Sequence, residues 1–335
     1  MASIGWPLWP PSQSNLRADT TPQQYHVPTL SVIVAAFNED GNLPLLWERL
    51  SALNWGEIGL EPEFVFVDDH SRDRTPEILA ALAAGDKRVK VIRFSKNFGS
   101  HKAYTAGLEH CGGDAAVILA ADLQDPPEII PQLVAKWRSG AKVVWAVRAE
   151  REGESAATKM LSRAYYYLMR RFSDVPPPVQ GADFLLLDRQ VISELAAAPE
   201  KHTSLLSLIQ WMGFDQAEIG YTKASRHSGR SKWTLRKKIK LAVDSFVSFS
   251  YFPLRLASAC GLILAFSGFL YAAITAVRAI TLGSPVQGWS SLMCVLLIVS
   301  GVQLIMLGIV GEYLWRTFDE TRGRPRYIIE KRINL

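Results

Sequence analysis

Cysteine is scarce: the 335 residues hold three, Cys111, Cys260 and Cys294, and none of them stands in a CxxC pair. That excludes a zinc ribbon or a disulfide framework as the organising device. Two of the three fall in the most apolar stretches, where cysteine acts as a small packing residue. Residues 1–28 lack the apolar segment that a secretory signal needs and carry five prolines. They are read as a disordered cytoplasmic extension. Charge is also modest, at +5 overall, and no nucleic-acid partner is expected.

What the chain has in excess is apolar character. Hydrophobic residues make up 48%, and the mean hydropathy of +0.07 is high for a soluble protein. Residues 256–277 form a 22-residue stretch without a charge, and residues 289–311 one of 23. As helices each reaches roughly 33 Å, enough to cross a ~30 Å hydrocarbon core. Seven Lys or Arg lie in residues 226–240 and six follow Trp315, whereas the connection between the stretches has only Arg278. The positive-inside rule then puts the domain before the hairpin and the tail in the cytoplasm, with the loop outside. Residues 235–253 read as an amphipathic helix along an anionic leaflet. The expected domains are therefore 29–234, 235–253, a hairpin over 254–315 and a tail over 316–335. Gln303, near mid-membrane, suits hydrogen bonding between protomers, and a homo-oligomer, dimer or tetramer, is expected.

Before the hairpin, short β-branched runs alternate with helix-length segments. Strands are read over residues 30–36, 63–67, 89–94, 115–119 and 142–147, with helices after 43, 75, 100 and 127. This spacing predicts a mainly parallel, doubly wound α/β sheet. Polar residues recur just past the strand ends: Asn38 and Glu39, Asp68 and Asp69, Asp122 and Gln124, Arg148. In such sheets ligands bind in the crevice beyond the carboxyl ends of the strands. Asp122 and Gln124 offer two oxygen donors two residues apart, which beside a diphosphate suits Mg²⁺ or Mn²⁺. Asp125 precedes Pro126 and reads as the start of the next helix, so replacing it is expected to cost little.

Three motifs carry a resemblance. Phe37, Asn38 and Glu39 after the first strand, Val67 to Thr75 after the second, and Ala121 to Glu128 resemble successive motifs of family 2 glycosyltransferases. The likeness is greatest to the branch acting on polyprenyl phosphates, which includes dolichol-phosphate mannosyltransferase and the GtrB-type undecaprenyl-phosphate glucosyltransferases. It implies a GT-A fold followed by a two-helix transmembrane hairpin, a nucleotide-sugar donor, a polyprenyl-phosphate acceptor and a bacterial inner-membrane location. It further implies that Ala35, Phe37, Glu39, Val67, Asp69 and Ala121 hold the nucleotide. Asp122 and Gln124 would hold the metal, and Arg148 would face the sugar diphosphate. The segment from Arg226 to Trp233 resembles an R-x-x-G-x-S-K loop, implying that Arg226, Ser231 and Lys232 close over the donor. Lys159, Ser162 and Arg163, on a basic and aromatic stretch, would meet the acceptor phosphate. The chain departs from the family at Ala35, where Pro is usual, at Ala120, where Asp is usual, and at Leu185, where Arg is usual.

The implied reaction needs no strong base, because a phosphate monoester with a second pKa near ~6 is already largely dianionic at neutral pH. His101 and His227 are the nearest imidazoles and both are read as incidental. A UDP-sugar such as UDP-glucose is favoured, with GDP-mannose as the alternative. Two rivals stand beside this reading. A processive polysaccharide synthase would carry a Q-x-x-R-W segment, which is absent. A catalytically weakened nucleotide- or lipid-binding homologue is favoured by Ala35, Ala120 and Leu185.

Overall fold

The computed structural model describes residues 27–148, 167, 171, 184–198, 204–222, 252–282 and 288–335. The stretch with Lys159, Ser162 and Arg163, the loop with Arg226, Ser231 and Lys232, the helix read over most of 235–253, and the first 26 residues lie outside them.

Strand β1 (Thr29–Ala36) is followed by α1 (Leu43–Ala52), the single turn α2 (Trp55–Ile58) and β2 (Glu61–Asp68). Then come α3 (Thr75–Gly85), β3 (Val89–Phe94), α4 (Ser100–His110) and β4 (Ala115–Ala120). A 3₁₀ turn, Pro127–Ile129, leads into α5 (Ile130–Arg138) and β5 (Val143–Arg148). Strand β6 (Phe184–Asp188), α6 (Arg189–Ala197), α7 (Leu205–Trp211) and β7 (Gln216–Tyr221) complete the domain. Two long helices follow, α8 (Phe252–Leu282) and α9 (Trp289–Thr321), and the chain ends in β8 (Ile329–Ile333).

The sheet runs β7-β5-β6-β4-β1-β2-β3-β8. Strands β1 to β4 are mutually parallel where they pair. The strands read as unbroken apolar runs because both faces are covered. Along β1, Leu30, Val32, Val34 and Ala36 join the core under α1, α3 and α5, whereas Ile33 joins the core under α4, α6 and α7. Leu185 sits in that second core, fully buried between Ile118 and Trp145 in register. Helix α4 lies close on β1 because position 107 is glycine: a Cβ there would overlap Ile33 Cγ2.

The amino-terminal edge of the parallel strands holds a buried polar cluster. Ser31 Oγ donates to Glu63 Oε2 at 2.5 Å, the Gly112 amide donates to the same oxygen at 2.8 Å, and Lys90 Nζ lies 2.5 Å from Oε1. Burial pushes the Glu63 carboxyl pKa up, but the bonds from Lys90, Ser31 and Gly112 outweigh it and hold the pKa below its ordinary value. A pKa lowered on folding adds stability above the unfolded value and loses it as pH falls through the folded one. Melting temperature should therefore drop on acidification below the usual carboxylate range. Glu63→Gln should melt lower at pH 7 and show a flatter acid limb. An acid limb unchanged by the substitution would rule this out.

Helices α8 and α9 have 31 and 33 residues, about 46 and 50 Å at 1.5 Å each. Both contain windows long and apolar enough to cross a membrane. Their large side chains face outward: Phe266 is 69% exposed, Phe269 76%, Leu304 69% and Leu307 67%. So much exposed apolar surface on two helices is the mark of a lipid-facing hairpin.

The final twenty residues, read from sequence as a tail, are otherwise employed. Helix α9 runs on to Thr321, and β8 pairs antiparallel with β3 as the sheet's last strand. Asn334 Nδ2 donates to the carbonyls of Ala83 and Val89 at 2.8 and 2.9 Å. Tyr327 stacks on Phe94 and donates to Glu109, which also receives Arg326 at 3.2 Å.

Candidate active site

Three loops meet at the carboxyl edge of the sheet. Ala35 stands in register with Val67 on one side and Ala120 on the other, so the loops after β1, β2 and β4 leave from one row. Strand β6 is antiparallel to both β4 and β5, so β5 runs the same way as β4. Ile118 and Trp145 both face Leu185, and three residues further on lie Ala121 and Arg148. Arg148 thus reaches the level of Ala121 two strand spacings away, about 9.5 Å. The polar strand ends lie along one edge of the sheet.

Each of the three loops turns through a left-handed residue that is not glycine: Asn38 at φ 53°, His70 at φ 63° and Leu123 at φ 60°. Such conformations cost free energy and persist where neighbours hold them. The first two loops hold each other. Ser71 Oγ accepts from the Asn38 amide at 2.9 Å, and Asn38 Oδ1 accepts from the Arg72 amide at 2.8 Å. Thr75 Oγ1 accepts from the Glu39 amide at 2.9 Å. Asp73 accepts from the Asp40 and Thr75 amides at 3.2 and 3.0 Å. Desolvation raises the Asp73 pKa, but the bonds from Thr75 and Asp40 prevail and lower it.

The expected nucleotide residues divide by burial. Phe37 and Glu39 are half-buried just past β1, and Asn42 Nδ2 donates to Glu39 Oε2 at 2.6 Å. Val67 is fully buried in the core under α4, so a ligand there meets main chain only. Asp69 is 3% exposed, and its carboxylate accepts from the amides of Phe98 and Gly99 at 2.6 and 2.8 Å. Those bonds bind the start of α4 to the end of β2. Ala35 is half-buried and Ala121 buried.

After β4, Asp122 is 8% exposed and Gln124 half-buried, with the Gln124 amide donating to Asp122 Oδ1 at 3.2 Å. Among the described residues no group of three or more His, Cys, Asp or Glu side chains is placed to hold a metal. One carboxylate and one amide are too few for a protein-built cage. They fit a hard cation that completes its oxygen shell from phosphates and water, as Mg²⁺ does. Arg148 Nε is buried without a hydrogen-bond partner among the described residues. A buried guanidinium N–H at a crevice rim suits a phosphate oxygen.

Asp125 requires a correction. It does not begin the next helix: it is fully buried, and Tyr221, the last residue of β7, donates to its Oδ1 at 2.5 Å. The residue type and the following proline are those of a turn, so only the fold reveals the partner. Sequence reasoning also missed Arg93, which reaches Asp68 behind the second loop at 2.6 Å.

Comparison with known proteins places this architecture. A profile described as glycosyl transferase family 2 matches residues 31–196, and one described as the GtrB C-terminal hairpin matches residues 252–316. The chain is 39% identical over 301 residues to an uncharacterized glycosyltransferase, YkcC, of Bacillus subtilis, covering 90% of this chain and 93% of that one. It is 36% identical over 303 residues to the SfII prophage-derived bactoprenol glucosyl transferase of Shigella flexneri, covering 90% and 97%. A prophage bactoprenol glucosyl transferase homolog of Escherichia coli is 35% identical over 303 residues, covering 90% and 98%. With the shared sheet edge, the Asp122 turn and the apolar hairpin all in one chain, this protein belongs to glycosyl transferase family 2, in the group that carries the GtrB C-terminal hairpin.

Proposed function

We infer that the protein transfers a hexose from a nucleotide sugar, UDP-glucose in first place, to the phosphate of a membrane polyprenol with inversion. One observation carries the reading: Asp122, Gln124 and Arg148, whose buried Nε has no partner among the described residues, lie along one sheet edge of a chain that continues into a lipid-facing hairpin. The names of the bactoprenol glucosyl transferases it resembles support the same acceptor.

In this reading an acceptor phosphate oxygen attacks the anomeric carbon. The bond to that carbon forms as the bond to the β-phosphate oxygen breaks, and the electron pair leaves with the diphosphate. The acceptor is dianionic near neutral pH and needs no base. Asp122 and Gln124 would hold a Mg²⁺ or Mn²⁺ ion, whose chemistry is to neutralise charge on the leaving diphosphate. Arg148, with Arg226 and Lys232 from the basic loop, adds fixed positive charge there. Lys159, Ser162 and Arg163 orient the acceptor phosphate at the membrane surface. In this reading the site opens to the cytoplasm, which the Lys and Arg flanking the hairpin support.

Sealed inverted inner-membrane vesicles containing the protein, given labelled UDP-glucose and Mn²⁺, should form a labelled lipid. Right-side-out vesicles should not. Transfer from GDP-mannose alone would replace the donor, and donor binding without any transfer would favour the weakened homologue.

A further inference from the structure

The last strand of the chain reaches the loop that follows β2. Arg93, on β3, donates through Nη1 to Asp68 Oδ2 at 2.6 Å and through Nη2 to the Ser71 carbonyl at 3.3 Å. Its Nε donates to Glu330 Oε2, on β8, at 3.1 Å. Asp68 is 1% exposed, and its other oxygen accepts from the Ser71 amide at 2.8 Å. His70, the left-handed residue of this loop, has Nδ1 3.1 Å from the Phe94 carbonyl and 3.9 Å from Glu330. One guanidinium therefore joins the loop, the strand beneath it and the segment that emerges from the hairpin.

We propose that Arg93, held by Glu330 of the C-terminal strand, is a positioning residue for the nucleotide half of the site and ties that loop to the membrane hairpin. The inference rests on the donor-site reading above. The geometry favours it over a role in stability alone. Arg93 grips both ends of the Asp68–Ser71 turn, and the same turn supplies the hydroxyl that holds the Asn38 amide of the first loop. Slackening it moves the two loops that face a base and ribose and leaves the Asp122 turn, two strands away, in place. Seven residues separate the end of α9 from the start of β8, so the strand cannot move far from the hairpin.

The test uses full-length protein in detergent with Mn²⁺, measuring UDP binding by calorimetry and KM for donor and for lipid phosphate. Arg93→Gln should weaken UDP binding and raise donor KM by about tenfold, within the range of couplings carried by packed networks. The KM for lipid phosphate should stay within about twofold. Arg93→Lys should restore part of the loss, and Glu330→Gln should give a smaller change of the same kind, because its carboxylate is half exposed. Equal shifts in both KM values, or UDP binding that matches wild type, would overturn the proposal and leave the donor-site reading standing. Wild-type protein that binds neither UDP nor GDP would overturn both.

Discussion

Asp122→Asn is expected to lower kcat by about 10²-fold or more, the scale of losing one preorganised electrostatic stabiliser. Asp122 is the one carboxylate of its turn proposed to face the diphosphate. Ala120 has no side-chain oxygen, and Asp125 is buried against Tyr221. Asparagine keeps the shape of the side chain and removes its charge. Gln124→Ala, which removes a neutral donor, should cost less. Neither change should disturb folding much, since both side chains sit on a turn at the edge of the core. Two readouts separate the roles: turnover across a Mn²⁺ titration, and calorimetric binding of UDP with and without Mn²⁺. In the Asp122→Asn protein, Mn²⁺ should no longer strengthen UDP binding. Near-normal turnover with unchanged metal dependence would defeat the assignment and strengthen the binding-only rival.

Asp125→Ala should instead damage the fold. It removes the carboxylate to which the buried Tyr221 hydroxyl donates, and losing one partner of a buried hydrogen bond costs about 1–3 kcal/mol. For a domain of this size that lowers the melting temperature by roughly 2–4 °C per kcal/mol. Tyr221→Phe removes the hydroxyl itself and leaves the carboxylate short of one donor. If the two act as a pair, the double variant should lose less than the sum of the singles. Additive losses would show that the contact carries no coupling. Activity should fall as well, because Tyr221 ends β7 and residues 226–232, proposed to close over the donor, follow shortly after it in the chain.

Two carboxylates of one motif, three residues apart, thus have opposite expected signatures. Nothing local distinguishes them. Asp122 stands just past the end of β4 at Ala120, and Leu123 after it turns left-handed and enters the core. Asp125 faces Tyr221 because β5 places β7 alongside it, 96 residues further along the chain. Asp69 is a similar case: its position past β2 marks the crevice, but its carboxylate serves the amides that open α4.

By itself the sequence determined the alternation of strands and helices, the polar residues at the carboxyl ends of the strands and the apolar hairpin. Each of these is written in local pattern. A strand covered on both faces must be a continuous apolar run, and a helix in lipid must stay uncharged for about 20 residues. Helix α4 begins at Ser100, where the sequence pattern puts it, with Gly99 just before it. Only the tertiary structure decided which strands became neighbours. Strand β6 enters antiparallel between β4 and β5, and β8 returns from beyond the hairpin to β3. Five residues carrying Glu330, Lys331 and Arg332 at their centre have no strand signature of their own. They are extended because β3 presents an open edge, and because Tyr327, Arg326 and Asn334 fasten the segment at both ends. Pairing energy of that kind depends on residues more than 200 positions apart, and it leaves no periodicity in the chain to be read.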